Sequence, residues 1–191
     1  MGNIQCLCLK DVAEINFILS IGKAKDTKPL LWMTASHLLP ENKVLMDFEE
    51  KAGNENEASK IYKNDILIKR ISPSFINYID MDLENIYAYS NLIIVRPNSS
   101  VAPKYLAYII DQNIEKLSTR SSVGAVMPSL GKNELSLLEV PILSQKEQKK
   151  IGALWYWGIE KKKHLDRLSE VQHIKDTYML QKYMMGKMGG N

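Results

Sequence analysis

The sequence predicts an α/β protein: a compact mixed-sheet domain over residues 1–144, followed by one long C-terminal α-helix over 145–191. Three observations carry that expectation. Apolar runs of strand length alternate with Gly and Pro through the first three quarters of the chain. A helical apolar period follows Pro103. From Gln145 to about Met185 there is no proline, and Lys, Gln, Glu, Leu and Met dominate.

Taken in order, Cys6–Leu9, Leu30–Met33, Asp65–Ile71, Asn91–Val95 and Leu135–Ile142 read as strands, being apolar or β-branched over strand length. The polar run Glu49–Glu57 reads as an exposed loop. Pro103 suits a first helical position, and Leu106, Ile109, Ile110, Ile114 and Leu117 follow on one face. Ser144 with Glu147 three residues on forms a capping-box pattern that opens the last helix. Forty residues of helix extend roughly 60 Å, more than one small sheet needs. An a/d-type series runs through Ile151, Leu154, Leu165, Leu168 and Met179, which marks these residues as a candidate dimer interface. Lys161 and Lys175 interrupt it, which argues against a clean two-stranded zipper. Trp155, Ile159, Val171, Ile174 and Tyr178 broaden the stripe. Trp155 and Trp157 flank Tyr156, and this aromatic cluster predicts that the root of the helix packs on the domain before it.

Composition excludes several classes. At 191 residues, 45% hydrophobic and 25% charged, the chain is neither disordered nor collagen-like. No apolar run reaches membrane-spanning length, and the N-terminus lacks a leader pattern. Cys6 and Cys8 are one residue apart, where a disulfide would be strained; they read as small core residues of a reduced, cytoplasmic protein. The net charge of +3 conceals a division. Residues 1–144 hold 15 basic and 17 acidic side chains, and residues 145–191 hold 10 and 5.

No catalytic constellation stands out. The sequence has no phosphate-binding glycine loop, dinucleotide fingerprint or nucleophile elbow. His37, His164 and His173 are far apart in sequence, and the last two fall on opposite sides of a helix. Cys6 and Cys8 lack the second ligand pair of a zinc site. Asp65 and Lys69 lack the extra carboxylate of a metal-dependent nuclease. The expectation is a non-enzyme without cofactor or metal.

Three loops instead offer groups that grip phosphates and base edges. Thr119–Gly124 brings Arg120, Ser121 and Ser122. Arg70–Tyr78 brings Arg70, Ser72, Asn77 and Tyr78. A third cluster brings Lys23, Lys25 and Lys28. All but Lys28 are taken as candidate DNA contacts, without separating base readers from phosphate binders.

At this point the chain resembles a family, the type I restriction-modification specificity subunits. The resemblance rests on Gly22–Leu38 (GKAKDTKPLLWMTASHL), Ile61–Lys69 (IYKNDILIK) and Gly124–Leu154, where Val140-Pro141 leads into Glu147-Gln148 and an Ile151-led helix. Asn64 stands where the family commonly has glycine. The resemblance implies a non-catalytic reader of double-stranded DNA in a half-subunit form, with one recognition domain and one helix. It implies a homodimer reading an inverted bipartite site. It also implies a methyltransferase (modification) subunit docking on the chain, and a restriction/translocase subunit joining through the complex. The alternative is a protein-interaction or orphan assembly module on the same scaffold, without sequence-specific DNA binding.

Overall fold

A computed structural model describes residues 4–18, 28–120 and 129–188. The central element is a four-stranded antiparallel sheet in the order β2 (Ala13–Ile18), β10 (Leu92–Pro97), β7 (Ile66–Lys69) and β8 (Ile76–Tyr78). Leu92–Val95 and Ile66–Ile68 are fully buried, which is why these two runs carry no polar residue in alternation. A second sheet is mixed: β6 (Glu49–Gly53) lies antiparallel and β9 (Ile86–Ala88) parallel to β3 (Lys28–Met33). Two smaller pairs complete the strands. β1 (Gln5–Cys8) pairs with β11 (Glu139–Ile142), and β4 (Leu38–Leu39) with β5 (Lys43–Val44). The helices are a single turn α1 (Leu9–Val12), then α2 (Pro103–Arg120), α3 (Lys132–Ser136) and α4 (Gln145–Met188). The architecture is the mixed α/β domain with a long C-terminal helix that the sequence predicts.

Three expectations are corrected. The charged run from Glu49 forms β6 over Glu49–Gly53, because β3 offers it a free edge. The absence of a side chain at Gly53 leaves room for the Trp32 ring, and the Trp32 Nε1–H donates to the Lys51 carbonyl at 3.0 Å. Leu135–Ile142 is not one strand: α3 and a turn occupy its first half, and β11 its second. Cys6 is exposed and Cys8 half-buried, so neither is a core residue; among the described residues β1 pairs with β11 alone.

One ion pair ties the central sheet together. The Asp65 carboxylate accepts from Arg96 Nε at 2.9 Å and from a second guanidinium nitrogen at 3.0 Å. It also accepts the Tyr62 backbone N–H at 2.8 Å. Arg96 further donates to the Lys60 carbonyl at 2.8 Å, lies over the Tyr62 ring and stands 4.0 Å from Glu14. The hydrogen bonds that Arg96 donates to Asp65 push its guanidinium further above its already high range. Asn64, immediately before this carboxylate, has φ 73°, a left-handed conformation that glycine and asparagine tolerate better than other residues. That accounts for the residue types that suit this position.

Packing divides the chain into two units, Met1–Trp155 and Tyr156–Asn191. The first contains the root of α4. There the capping box forms as expected: the Ser144 N–H donates to Glu147 Oε2 at 3.1 Å, and the Glu147 N–H to Ser144 Oγ at 3.3 Å. The Ser144 hydroxyl, donating to the same Glu147 oxygen, and then the Ser144 backbone N–H hold the Glu147 carboxyl below its usual range. The cap's contribution is therefore present above about pH 4.5 and is lost as pH falls through the lowered value. Trp155 Nε1–H donates to Asp111 of α2 at 2.9 Å, so Trp155 packs on the preceding domain as expected, whereas Trp157 is exposed. In the second unit every described side chain from His164 to Met185 is exposed, including Leu165, Leu168, Val171, Ile174 and Met179. Leu165, Leu168, Val171 and Ile174 recur every three residues. Each step turns the row by about 60°, so it winds around the helix instead of lining one face.

Two glycines of α4 separate packing from propensity. A Cβ at Gly152 would lie 2.6 Å from the Tyr105 nitrogen and 2.7 Å from the Lys104 carbonyl carbon, whereas one at Gly158 meets nothing within 4 Å. Gly152→Ala is expected to cost about 1–3 kcal/mol in urea unfolding. Gly158→Ala should be neutral or stabilising by up to about 1 kcal/mol.

Candidate nucleic-acid interface

The antiparallel register of the central sheet gathers specific chain segments at one end. Ile18 pairs with Leu92, Leu92 with Lys69, and Ile76 lies opposite Ile68. The last residue of β2, the first of β10, the last of β7 and the first of β8 therefore stand side by side. Backbone bonds continue the row beyond the strands. The Asn91 N–H donates to the Ile18 carbonyl, and the Arg70 N–H to the Asn91 carbonyl at 3.0 Å. The Leu130 N–H then donates to the Arg70 carbonyl at 2.9 Å, and Ile71 forms a bridge with Ser129.

This arrangement brings together the flanks of all three loops singled out in the sequence. Arg70 and Ser72 belong to the β7–β8 connection at this end, with Arg70 half-buried and Ser72 exposed. The Arg70 Nε–H reaches the Leu130 carbonyl at 3.4 Å, which holds its guanidinium near Ser129. Lys69 lies with its ammonium 5.4 Å from the Phe75 ring centroid in the same connection. Lys23, Lys25, Ser121 and Ser122 lie outside the described residues. Their segments, however, follow Ile18 and precede Ser129, both of which are at this end of the sheet. Arg120 is the last residue of α2, and its side chain is likewise not described. Lys28, which follows the lysine cluster, lies on β3 and pairs with Glu55 at 3.3 Å.

Two expected contact residues are instead structural. Asn77 is fully buried, and its amide donates to the carbonyls of Leu39 and Lys43, both at 3.0 Å. It fastens the β4–β5 turn to the edge of β8. Asn42, at the tip of that turn with φ 57°, accepts the Tyr78 backbone N–H. A buried side chain cannot reach a duplex, so Asn77 is removed as a contact. Tyr78 is also interior. Its hydroxyl donates to Asn64 Oδ1, and burial, with Asp80 adding, pushes the phenol up to about 12. It stands at the opposite end of β8 from Ile76. Sequence reading missed this clamp, although the Pro40-Glu41-Asn42 turn signal was visible. It also passed over Lys69 as a contact, having weighed that residue only for nuclease chemistry.

Among the described residues no group of three His, Cys, Asp or Glu side chains is placed to hold a metal ion. No described helix is long and apolar enough to cross a membrane. Among the described residues, this sheet end presents the backbone-anchored β7–β8 connection with Lys69, Arg70 and Ser72, side chains of the kind that contact phosphates and base edges.

Comparisons with known proteins agree with the fold. A family model described as the type I restriction modification DNA specificity domain matches residues 1–154. No curated protein sequence matches the chain. Among solved structures, one described as showing complex assembly and conformational transition of the type I R-M system aligns with TM-score 0.60 and 15% identity. It covers 85% of this chain and 39% of that one. The HsdS subunit from Thermoanaerobacter tengcongensis aligns with TM-score 0.55 and 17% identity, covering 83% of this chain and 37% of that one. The type I S subunit from M. genitalium aligns with TM-score 0.55 and 14% identity, covering 90% and 43%. The chain thus spans about two fifths of the length of the structures it resembles.

The clamp can be separated from the surface by stability alone. Asn77→Ala is expected to cost about 1–3 kcal/mol in chemical denaturation, because it removes the buried amide that donates to both the Leu39 and Lys43 carbonyls. Ser72→Ala should stay within about 0.5 kcal/mol of the parent. Equal stability of the two variants would contradict the assignment of Asn77 as a clamp.

Proposed function

The chain belongs to the family of type I restriction-modification DNA specificity domains, and from that premise we propose that it is the non-catalytic sequence-recognition subunit of such a system. In this reading it directs adenine methylation and DNA cleavage that partner subunits perform, in the cytoplasm. The observation that supports it most is the convergence, at one end of the central sheet, of the flanks of three loops rich in cationic and hydroxyl side chains. Arg70, Ser72, Arg120, Ser121, Ser122, Lys23 and Lys25 are the proposed contacts, with Lys69 added from the structure. The net charge of −2 over residues 1–144 means that affinity depends on these local clusters, and not on bulk attraction.

We further propose that the exposed apolar residues of α4 are covered by a second copy of the chain. Leu154, Leu165, Leu168 and Met179, each more than half exposed, would be the principal contacts, with half-buried Ile151 at the root. Two identical recognition domains related by a two-fold would read an inverted bipartite site, and linkage would raise affinity beyond that of either domain. An exposed apolar surface of this extent is otherwise a liability in water.

The test is to co-express the chain with the methyltransferase subunit of its own system and map methylated adenines. A bipartite, inverted methylation pattern is expected. Arg120→Ala should then weaken duplex binding, and a phosphate role would also reduce the slope of log affinity against log salt by about one. Association with the methyltransferase without any sequence-dependent methylation would favour the assembly-module reading instead.

A further inference from the structure

The opposite end of the central sheet carries a different kind of surface. There Tyr78 and Pro97, with Val101 and Pro103 of the connection into α2, line a cavity of about 510 Å³ that Lys104 of α2 and Lys149 of α4 also border. All of these residues belong to the unit Met1–Trp155.

The cavity is built and held. Gln148 is buried, and its Oε1 accepts the Ala102 N–H at 2.8 Å while its amide donates to the Leu143 carbonyl at 2.9 Å. The Gln145 amide donates to the Ser100 carbonyl at 3.3 Å. These bonds pin the 97–102 wall to the start of α4. Gly152 brings the same face of α4 into near-backbone contact with Lys104 and Tyr105. Lys149 lies three residues earlier on that face, so the packing sets two cations from different helices on one apolar hollow. The Lys104 ammonium stands 5.7 Å from the Tyr78 ring centroid, with its apolar stem along the wall.

We propose that this cavity docks a partner protein by receiving an acidic segment that carries a bulky apolar side chain. The two lysines supply the charge complement to the carboxylates, and the proline, valine and tyrosine lining takes the apolar anchor. A duplex presents phosphates, and its apolar groups are thymine methyls set within the major groove and not a projecting side chain that could fill such a lining; the loops assigned to DNA leave from the other end of the sheet. The two ends can therefore be occupied at once. The inference rests on the reading above, in which the methyltransferase subunit is the partner.

The experiment compares the full chain with Lys104→Glu/Lys149→Glu and, separately, with Ser99→Trp, which fills the cavity from an exposed position without altering charge. Binding to the methyltransferase subunit and to the methylated duplex is measured for each, with Tm as a folding control. The expected result is at least a tenfold loss of methyltransferase affinity in both variants, at unchanged Tm and unchanged duplex affinity of the chain alone. Undiminished methyltransferase binding by Ser99→Trp and by the charge-reversed chain overturns the docking site. Loss of duplex affinity with intact methyltransferase binding also overturns it, by making the cavity a nucleic-acid surface. Failure of the parent chain itself to bind the methyltransferase is a different result, and defeats the functional reading on which the inference stands.

Discussion

The register of β10 between β2 and β7 decides what this protein can present to a partner. Its residues Leu92–Val95 are fully buried, and slipping either neighbour by one residue would exchange the side chains packed on the two faces of that strand. At the Pro97 end the same register is held by Arg96, which faces Glu14 of β2 in register and forms paired hydrogen bonds with Asp65 at the entry to β7. A pair of this kind is strongly specified, because removing one partner leaves a buried charge uncompensated. With the register fixed, the two ends of the sheet become different surfaces: loop flanks with cationic and hydroxyl groups at one, an apolar hollow bordered by lysines at the other.

Those surfaces divide the labour that the overall charge conceals. Residues 1–144 carry a net charge of −2, which offers little bulk attraction to DNA, so the proposed function relies on local geometry for discrimination. The β7–β8 connection, tied at Arg70 by backbone hydrogen bonds to Asn91 and Leu130, would lose little entropy on meeting a ligand. The arm is cationic and its described side chains beyond Lys163 are all exposed, which suits assembly more than folding. The winding row from Leu165 to Ile174 explains why a strict heptad could not be drawn through it.

Much of this was legible before any coordinates. The buried strands around Ile66–Ile68 and Leu92–Val95, the helix from Pro103 and the Ser144–Glu147 cap each follow from local rules of period, burial and capping, and each is where the sequence puts it. What was not legible depended on tertiary partners. A charged run became β6 because an edge of β3 was free and Trp32 needed the space at Gly53. Asn77 looked like a reader because it is polar and follows a loop. It is a clamp because the β4–β5 turn, more than thirty residues away in sequence, brings two carbonyls to it. Composition groups the three loops, and strand pairing shows that their flanks share one end of the sheet.

Amide hydrogen exchange of the chain with and without its methylated duplex tests the central claim most directly. Recognition at the loop end predicts that DNA slows exchange at Lys69–Phe75 and Ser129–Leu130, while residues 97–104 exchange unchanged. Protection confined to residues 97–104, with the loop flanks unaffected, would contradict it.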